Sequence, residues 1–351
     1  MKRYKVALIK GDGIGPEQVE ATLPVLQAVT EGLEVNLEIL EVEAGDACAA
    51  KRGVPLPEET VETIKSSNVC LKGPVGETAA DVIVRLRLMF DLYVNLRPAK
   101  AYPRVPCLRP DIDMVIVREN TEDLYKGFEY TTPDGEVAVA LRVISRKASR
   151  RIAEYAFKLA RGRRRKVVAV HKANVMKTTC GLFAEECRKT AEKHPDVEFR
   201  EMYVDAAAMN LIKRPHEFDV IVIPNMFGDI LSDEAAQLVG GLGMAPGANI
   251  GDSFALFEPI HGSAPHLTGQ QRANPLSMIL SAGLMFKWLG ERWEDEKCLL
   301  ASKLVEEAVV ETLKEGVVTP DLGGNFKTMD VGRTVAGKVL KAAREGGRLE
   351  A

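Results

Sequence analysis

Paired-cysteine motifs, long apolar runs and an excess of charge of either sign are all missing from this chain of 351 residues. Its six cysteines (48, 70, 107, 180, 187 and 298) are scattered, with no Cys-x-x-Cys. That argues against a disulfide framework or a thiolate zinc site and for a reducing, cytoplasmic setting. The five histidines (171, 194, 216, 261, 266) offer no pair at helical ligand spacing beyond a loose 261/266, so no histidine metal site is expected. No uninterrupted apolar run approaches the roughly 18 residues of a membrane span. The opening Met1-Lys2-Arg3-Tyr4-Lys5 runs straight into a strand-like stretch, so no signal peptide is expected. Lys plus Arg at 47 against Asp plus Glu at 50 leaves a net charge of −3, too small a field to recruit nucleic acid or an anionic membrane. The basic stretch from Arg161 to Lys166 has no aromatic residues interleaved with it and is expected to be a solvated turn at a helix end.

What is present reads as a layered α/β protein. A hydrophobic share of 46% and a charged share of 28% are those of an ordinary globular chain with a full core, and the length suggests two domains. Short Val- and Ile-rich runs predict strands over 4–9, 35–42, 114–117, 167–170, 198–204 and 220–223. The continuous string Val220-Ile221-Val222-Ile223 suits a strand buried on both faces. Ile152, Ala156 and Leu159 recur at helical spacing, as do Leu304, Ala308 and Val309 ahead of a stop at Gly316. Two breaks in composition, 97–106 and 244–251, read as crossings between domains. They predict a larger, discontinuous domain of residues 1–98 and 250–351 on the cofactor side and a smaller one of residues 99–249.

Several stretches carry possible chemistry. Gly11-Asp12-Gly13-Ile14-Gly15 follows the first strand, but its spacing is G-x-G-x-G, not the dinucleotide G-x-G-x-x-G. No clear acidic residue closes a second strand at the required offset, so it reads as a tight strand-to-helix turn and not as a Rossmann fingerprint. Asp229 and Asp233, four apart after a buried strand, share one face of a helix. Two anions there repel unless a cation joins them, and Mg²⁺ or Mn²⁺ prefers oxygen ligands. The plainer reading is a helix cap and a first-turn acid. Arg87, Arg97 and Arg118 stand near strand ends, and Arg118 closes an apolar strand where a surface ion pair would be an odd choice. Together they suggest a pocket for a polycarboxylate, although each alone suits a structural ion pair. Lys172 and Asn174 lie just past a buried strand, where ligands sit in α/β sheets, and a lysine there can act as a general base. Residues 257–265, continuing to Asn274-Pro275, read as a long loop with convergent polar groups.

Taken in order, the stretches GDGIGPE (11–17), LR with NLRP (86–98), VRENTEDLY (117–125), HKANVM (171–176), NMFGDILSDE (225–234) with GGLG (240–243), FEPIHGSAP (257–265) and TPDLGG (319–324) resemble the β-decarboxylating dehydrogenases. That family includes isocitrate, homoisocitrate and 3-isopropylmalate dehydrogenases, and the resemblance covers nearly the whole chain. It implies a two-domain α/β subunit of isocitrate/isopropylmalate dehydrogenase-like fold in a tight homodimer with shared active sites, or a tetramer. It implies that Arg87, Arg97 and Arg118 bind the malate-like carboxylates of the substrate. Tyr125 and Lys172 would be the acid/base pair, and Asp229 and Asp233 would ligate the metal together with Asp205 of the other subunit. Asn174, Glu258, His261, Gly262, Ser263, Ala264, His266 and Asn274 would line the cofactor site. The implied reaction is oxidation of a 2-hydroxy acid followed by loss of its β-carboxylate as CO₂. A non-catalytic regulatory subunit, which some family members are, would be free to lose Tyr125, Lys172 and the three aspartates, yet all are present.

In this family the residues three, four and six before the first substrate arginine touch the substituent that distinguishes one malate from another. Here they are Val84, Ile83 and Asp81. An apolar Ile83/Val84 pair suits an isopropyl group, whereas isocitrate enzymes place Ser and Asn and homoisocitrate enzymes an arginine in this segment. The expected substrate is therefore 3-isopropylmalate, converted to 2-oxoisocaproate in leucine biosynthesis, as in the archaeal-type branch. Homoisocitrate, isocitrate and a broad malate/tartrate range are the alternatives. Asn120 resembles the isocitrate/homoisocitrate branch instead, and Arg85 is close enough in sequence to be a carboxylate ligand. His266 replaces the Asp of NAD-using relatives, but the phosphate ligands of NADP-using relatives are missing at 266–267, 320 and 324, with only Arg272 to substitute. NAD is expected over NADP.

Overall fold

A computed structural model of the chain describes residues 2–346. Its strands are β1 (Arg3–Ile9), β2 (Asn36–Val42), β3 (Val69–Lys72), β4 (Val94–Lys100), β5 (Asp113–Glu119), β6 (Glu129–Thr131), β7 (Ala138–Ala140), β8 (Lys166–His171), β9 (Glu198–Tyr203), β10 (Val220–Ile223), β11 (Pro246–Ile250) and β12 (Ala255–Pro259). Ten of them form one sheet in the order β2-β1-β3-β12-β11-β4-β5-β10-β8-β9, and β6 and β7 pair as a separate antiparallel ribbon. The sheet is parallel toward both ends and antiparallel across its middle, where β12, β11, β4 and β5 pair in turn. That order is not a Rossmann order, in agreement with the reading of the glycine turn.

Helices cover both faces, which is why the strands read as apolar strings rather than as alternations. Along β5, Val115 and Val117 belong to one hydrophobic cluster, while Met114 and Ile116 belong to another on the opposite face. Helix Arg146–Arg161 packs Ile152, Ala156 and Phe157 into the first. Helix Asn225–Leu238 packs Leu231, Ala235 and Leu238 into the second. Helix Glu296–Glu315 ends on Gly316 in the left-handed conformation, as its sequence predicts. Among the described residues no helix is long and apolar enough to cross a membrane.

The sequence reading needs two corrections, both in the middle of the sheet. The breaks at 97–106 and 244–251 are not simple loops: they hold parts of β4 and β11, which pair with each other. Pro98 made β4 look interrupted, but it lies beyond the last residue of β4 that pairs with β11, where a missing N–H is tolerated. Residues Phe257, Glu258 and Pro259 belong to β12, so the loop begins only at Ile260. The basic stretch after helix Arg146–Arg161 is the largely exposed turn its sequence predicts, and its cations pair with nearby acids: Arg161 with Asp196, Arg163 with Asp113 and Asp219, and Lys166 with Glu198.

The glycine turn ties three loops together. Gly11 and Gly13 both have positive φ, at 73° and 58°, and a Cβ on either would stand 2.0 Å from a carbonyl oxygen, of Pro74 and Ser263 respectively. Asp12 donates its N–H to Pro74 O, and its carboxylate accepts from the backbone N–H groups of Asp46, Ala47 and Gly76. Gly13→Ala therefore combines a left-handed penalty of about 1–2 kcal/mol with displacement of the 263 loop. Its urea midpoint should fall measurably below wild type; an unchanged midpoint would show that the turn is not tightly held.

Candidate active site

The site forms where β4, β5 and β11 meet the helices that follow β3 and β10. Side chains on a strand alternate, so Asn95 and Arg97 of β4 share one face, and register places Arg118 of β5 opposite Asn95. Arg87 comes from the short helix Arg85–Met89, which is entered through a π-helical turn, Ala80–Val84. The three guanidiniums are buried, each under 10% exposed, and line a cavity of about 330 Å³ with Tyr125, Asp229, Ile83 and Val84. Asp81 and Arg85 are exposed and do not line this cavity.

Asp229 lies in the second turn of helix Asn225–Leu238, whose cap is Pro224, so the plain helix-cap reading of Asp229 fails. One carboxylate oxygen accepts from Arg118 and the other from the Tyr125 hydroxyl, with Arg97 Nη2 3.4 Å away. Arg97 also reaches Asp233 at 3.2 Å and the Ser232 hydroxyl at 2.8 Å. Gly228 permits this approach, because a Cβ there would stand 2.6 Å from Arg118 Cγ. Burial would raise the Asp229 carboxyl, but the Arg118 and Arg97 guanidiniums outweigh it and hold the group below its usual range. Asp233 moves the other way, raised by burial and by the charge of Asp229. Burial and the Asp229 carboxylate push the Tyr125 phenol up, so it keeps its proton at neutral pH. Arg118, pulled down to about 9 by burial and by Arg97, stays charged at neutral pH, and its Nη2 is buried with no partner.

On the far side, Glu258 of β12 balances a second cationic pair. Lys72 Nζ lies 2.7 Å from one oxygen and Arg87 Nη2 3.5 Å from the other. Burial opposes ionisation of Glu258, yet these two cations bring it down to about 2. Asn249 joins the clusters: its Oδ1 accepts from Arg87, Asn95 and Asn120, and its Nδ2 donates to Glu258 at 2.8 Å. Asn120 also donates to the Leu92 carbonyl, is buried, and does not line the cavity. Its resemblance to the isocitrate branch thus concerns scaffolding.

Of the expected cofactor residues, Glu258, His261 and Gly262 line the cavity, and Ser263, Ala264, His266 and Asn274 continue away from it. His261 Nδ1 donates to the Gly262 carbonyl, which leaves Nε2 as one acceptor shared between Gln18 at 3.1 Å and Ser277 at 3.0 Å. His266 is exposed, and Asn274 binds Asp321 at 3.0 Å. Lys172 and Asp205 pair with each other at 2.5 Å, and with the exposed Asn174 they stand outside the cavity.

A family model described as isocitrate/isopropylmalate dehydrogenase matches residues 5–335. The chain belongs to the isocitrate/isopropylmalate dehydrogenase family. It is 54% identical to a 3-isopropylmalate dehydrogenase of Methanothermobacter thermautotrophicus, over 96% of this chain and 98% of that one. It is 44% identical to a homoisocitrate dehydrogenase of Methanocaldococcus jannaschii, over 96% and 98%. The crystal structure of an isocitrate dehydrogenase from Methylococcus capsulatus superposes with a TM-score of 0.89 at 41% identity, covering 96% of this chain and 99% of that chain.

For this family member the donor chemistry can be tested against a cation. Asp229 and Asp233 offer only oxygen, which suits a hard divalent ion. Among the described residues of one chain no third acid, histidine or cysteine joins them. A metal therefore fits once a further carboxylate comes from outside the chain. A dinucleotide fits at the loop after β12, where Gly262 has nothing within 4 Å of a Cβ position and Gln18 Oε1 is buried without a partner beside His261.

Sequence reasoning missed Lys72, Asn249 and Gln18. Lys72 carried a usable signal, the same as Arg118 and Lys172: a long cation closing an apolar strand, here Val69-Cys70-Leu71. Asn249 and Gln18 carried none.

Burial lowers the His261 pKa from its ordinary 6.5, so the neutral ring is the form the fold favours. Its stabilising contribution is complete above the unfolded value and is lost as pH falls below it. The stability gap between wild type and His261→Asn should shrink between about pH 7.5 and about pH 5 in urea titrations. A gap that widened over that range would reverse the assignment.

Proposed function

We propose that this chain oxidises and decarboxylates a 2-hydroxy-3-carboxy acid, with 3-isopropylmalate, the precursor of 2-oxoisocaproate in leucine biosynthesis, as the substrate. The observation that carries the choice is the apolar pair Ile83 and Val84 on the cavity wall, with Asp81 and Arg85 absent from its lining. An added carboxylate on the substituent would meet no unpaired cation there, since Lys72 is already engaged by Glu258. The higher identity to an isopropylmalate than to a homoisocitrate enzyme supports the same choice.

In this reading Arg87, Arg97 and Arg118 fix the two malate carboxylates, and the unmet Nη2 of Arg118 is one of the donors waiting for them. Glu258, His261, Gly262 and the loop to Asn274 would hold NAD, which would supply the hydride acceptor, and Asp229 and Asp233 with Asp205 of a second copy would hold Mg²⁺ or Mn²⁺, which would supply Lewis-acid charge for the C2 oxygen. Lys172 of that second copy takes the hydroxyl proton. Tyr125, protonated at neutral pH, hands its proton to the carbon from which CO₂ departs. Residues 1–98 with 250–351 act as one domain and residues 99–249 as the other.

The homodimer has support of its own. Lys172 and Asp205 pair at a distance from the cavity that needs them. Beside them Met209 and Ile212 on helix Val204–Lys213 and Ile230 on helix Asn225–Leu238 are all more than half exposed, an apolar face suited to a second copy.

Two measurements test the reading. Steady-state rates with isopropylmalate, isocitrate, homoisocitrate and malate, each with NAD and NADP, should give the highest kcat/KM for isopropylmalate with NAD. Val84→Arg should lower that value by more than about tenfold and raise the homoisocitrate rate, because the guanidinium faces an isopropyl group unpaired. A wild type that prefers isocitrate or homoisocitrate sinks the assignment. Separately, inactive Lys172→Ala and Tyr125→Phe proteins should recover activity on subunit exchange, roughly half the mixed dimers being heterodimers with one intact site. No recovery after verified exchange would mean that each chain completes its own site.

A further inference from the structure

Strands β4 and β11 each have two chemical faces. Asn95, Arg97 and Asn249 line the active-site cavity, while Leu96, Pro98 and Lys100 of β4 and Pro246 of β11 line a second cavity behind the sheet. The second cavity is the larger, at about 560 Å³ against about 330 Å³, and falls in the size range of small-molecule sites. One wall is helix Arg146–Arg161, and the other is made by helices Leu276–Trp293 and Glu296–Glu315.

The lining sorts into three kinds of group. Leu96, Pro98, Leu280 and Leu284 give an apolar floor. Most of the charged rim is already neutralised: Lys100 by Glu306 at 2.6 Å, Arg163 by Asp113 and Asp219 at 2.8 Å each, and Glu291 by Lys287 at 3.7 Å. What remains is a set of donors. Tyr155 and Lys158, three apart on one helix face, and Ser302 from the opposite wall make no hydrogen bond or ion pair among the described residues. A phenol, a hydroxyl and an ammonium without acceptors, above an apolar floor, ask for an anion on an apolar body.

We propose that this cavity binds a small monocarboxylate with a branched apolar body, its carboxylate taken by Lys158, Tyr155 and Ser302 and its body laid on Leu96, Pro98, Leu280 and Leu284. An ammonium on the ligand is disfavoured, because the nearby carboxylates Glu291 and Glu306 already have cationic partners. None of these residues belongs to the active-site cavity.

Calorimetric titration of the full chain with 4-methylpentanoate tests it, with leucine as the second arm carrying the same skeleton and an ammonium. The expected result is one site per chain with a Kd of about 1 mM or tighter, at least fivefold weaker binding of leucine, and binding unchanged when isopropylmalate saturates the active site. Lys158→Ala, on a solvent-facing helix position, should weaken binding about tenfold, and Ser302→Phe should abolish it by filling the cavity. If Ser302→Phe does not fold, Lys158→Ala still decides. No binding up to about 10 mM, displacement by isopropylmalate, equal or tighter binding of leucine, or binding untouched by Lys158→Ala would each overturn the proposal.

Discussion

Three guanidiniums buried around one small cavity repel one another, and the site exists only because anions are built between them. Arg97 and Arg118 converge on Asp229, while Arg87 shares Glu258 with Lys72. Neither carboxylate can be spared, since an unpaired buried guanidinium is far more costly than a broken surface pair. Each anion is in turn placed by backbone. Asp229 depends on helix Asn225–Leu238 starting directly after β10, and Glu258 on β12 lying between β3 and β11. The antiparallel middle of the sheet is what makes this possible, for it sets the neighbouring strands β4 and β5 beside β11 and β12, a pair far from them in sequence.

The amide of Asn249 keeps these two charge clusters in register. It accepts from Arg87, Asn95 and Asn120 and donates to Glu258, so a single side chain touches the arginine of one short helix and the strands on both sides of β11. Such a fully bonded buried network rigidifies a site, and a half-satisfied one would destabilise it. With the positive groups fixed in this way, the net field of the cavity stays cationic, and a dianionic substrate completes the balance that the two acids only partly supply.

The legibility of the sequence follows the same division. Strands covered by helices on both faces, such as β5, β8 and β10, announced themselves as apolar strings, and their ends at Arg118, Lys172 and the run to Asp229 were found from that pattern. The middle strands were not legible, for a physical reason. β4 alternates Asn95 and Arg97 with Leu96 and Pro98, because one face lines a polar site and the other a cavity, so the buried polar residues read as loop. β11 carries Gly247 and Asn249, and β3 and β12 end on residues untypical of a buried strand, Lys72 and Glu258-Pro259. The polar residues that made these strands unreadable are the ones that build the site.

The same placement is the basis of the proposed dimer. Lys172 and Asp205 hold each other at 2.5 Å on the far side of β10, an exposed ion pair of little value to stability. A pair that contributes so little to its own chain, flanked by exposed Met209 and Ile212, makes physical sense when its partner is another molecule. Asp229 and Asp233 state the complementary need, since they share a helix face and burial raises Asp233 even though Arg97 and Arg118 oppose it. In the proposed dimer the acid pair gains its third ligand and the lysine its substrate from one two-fold arrangement of identical chains.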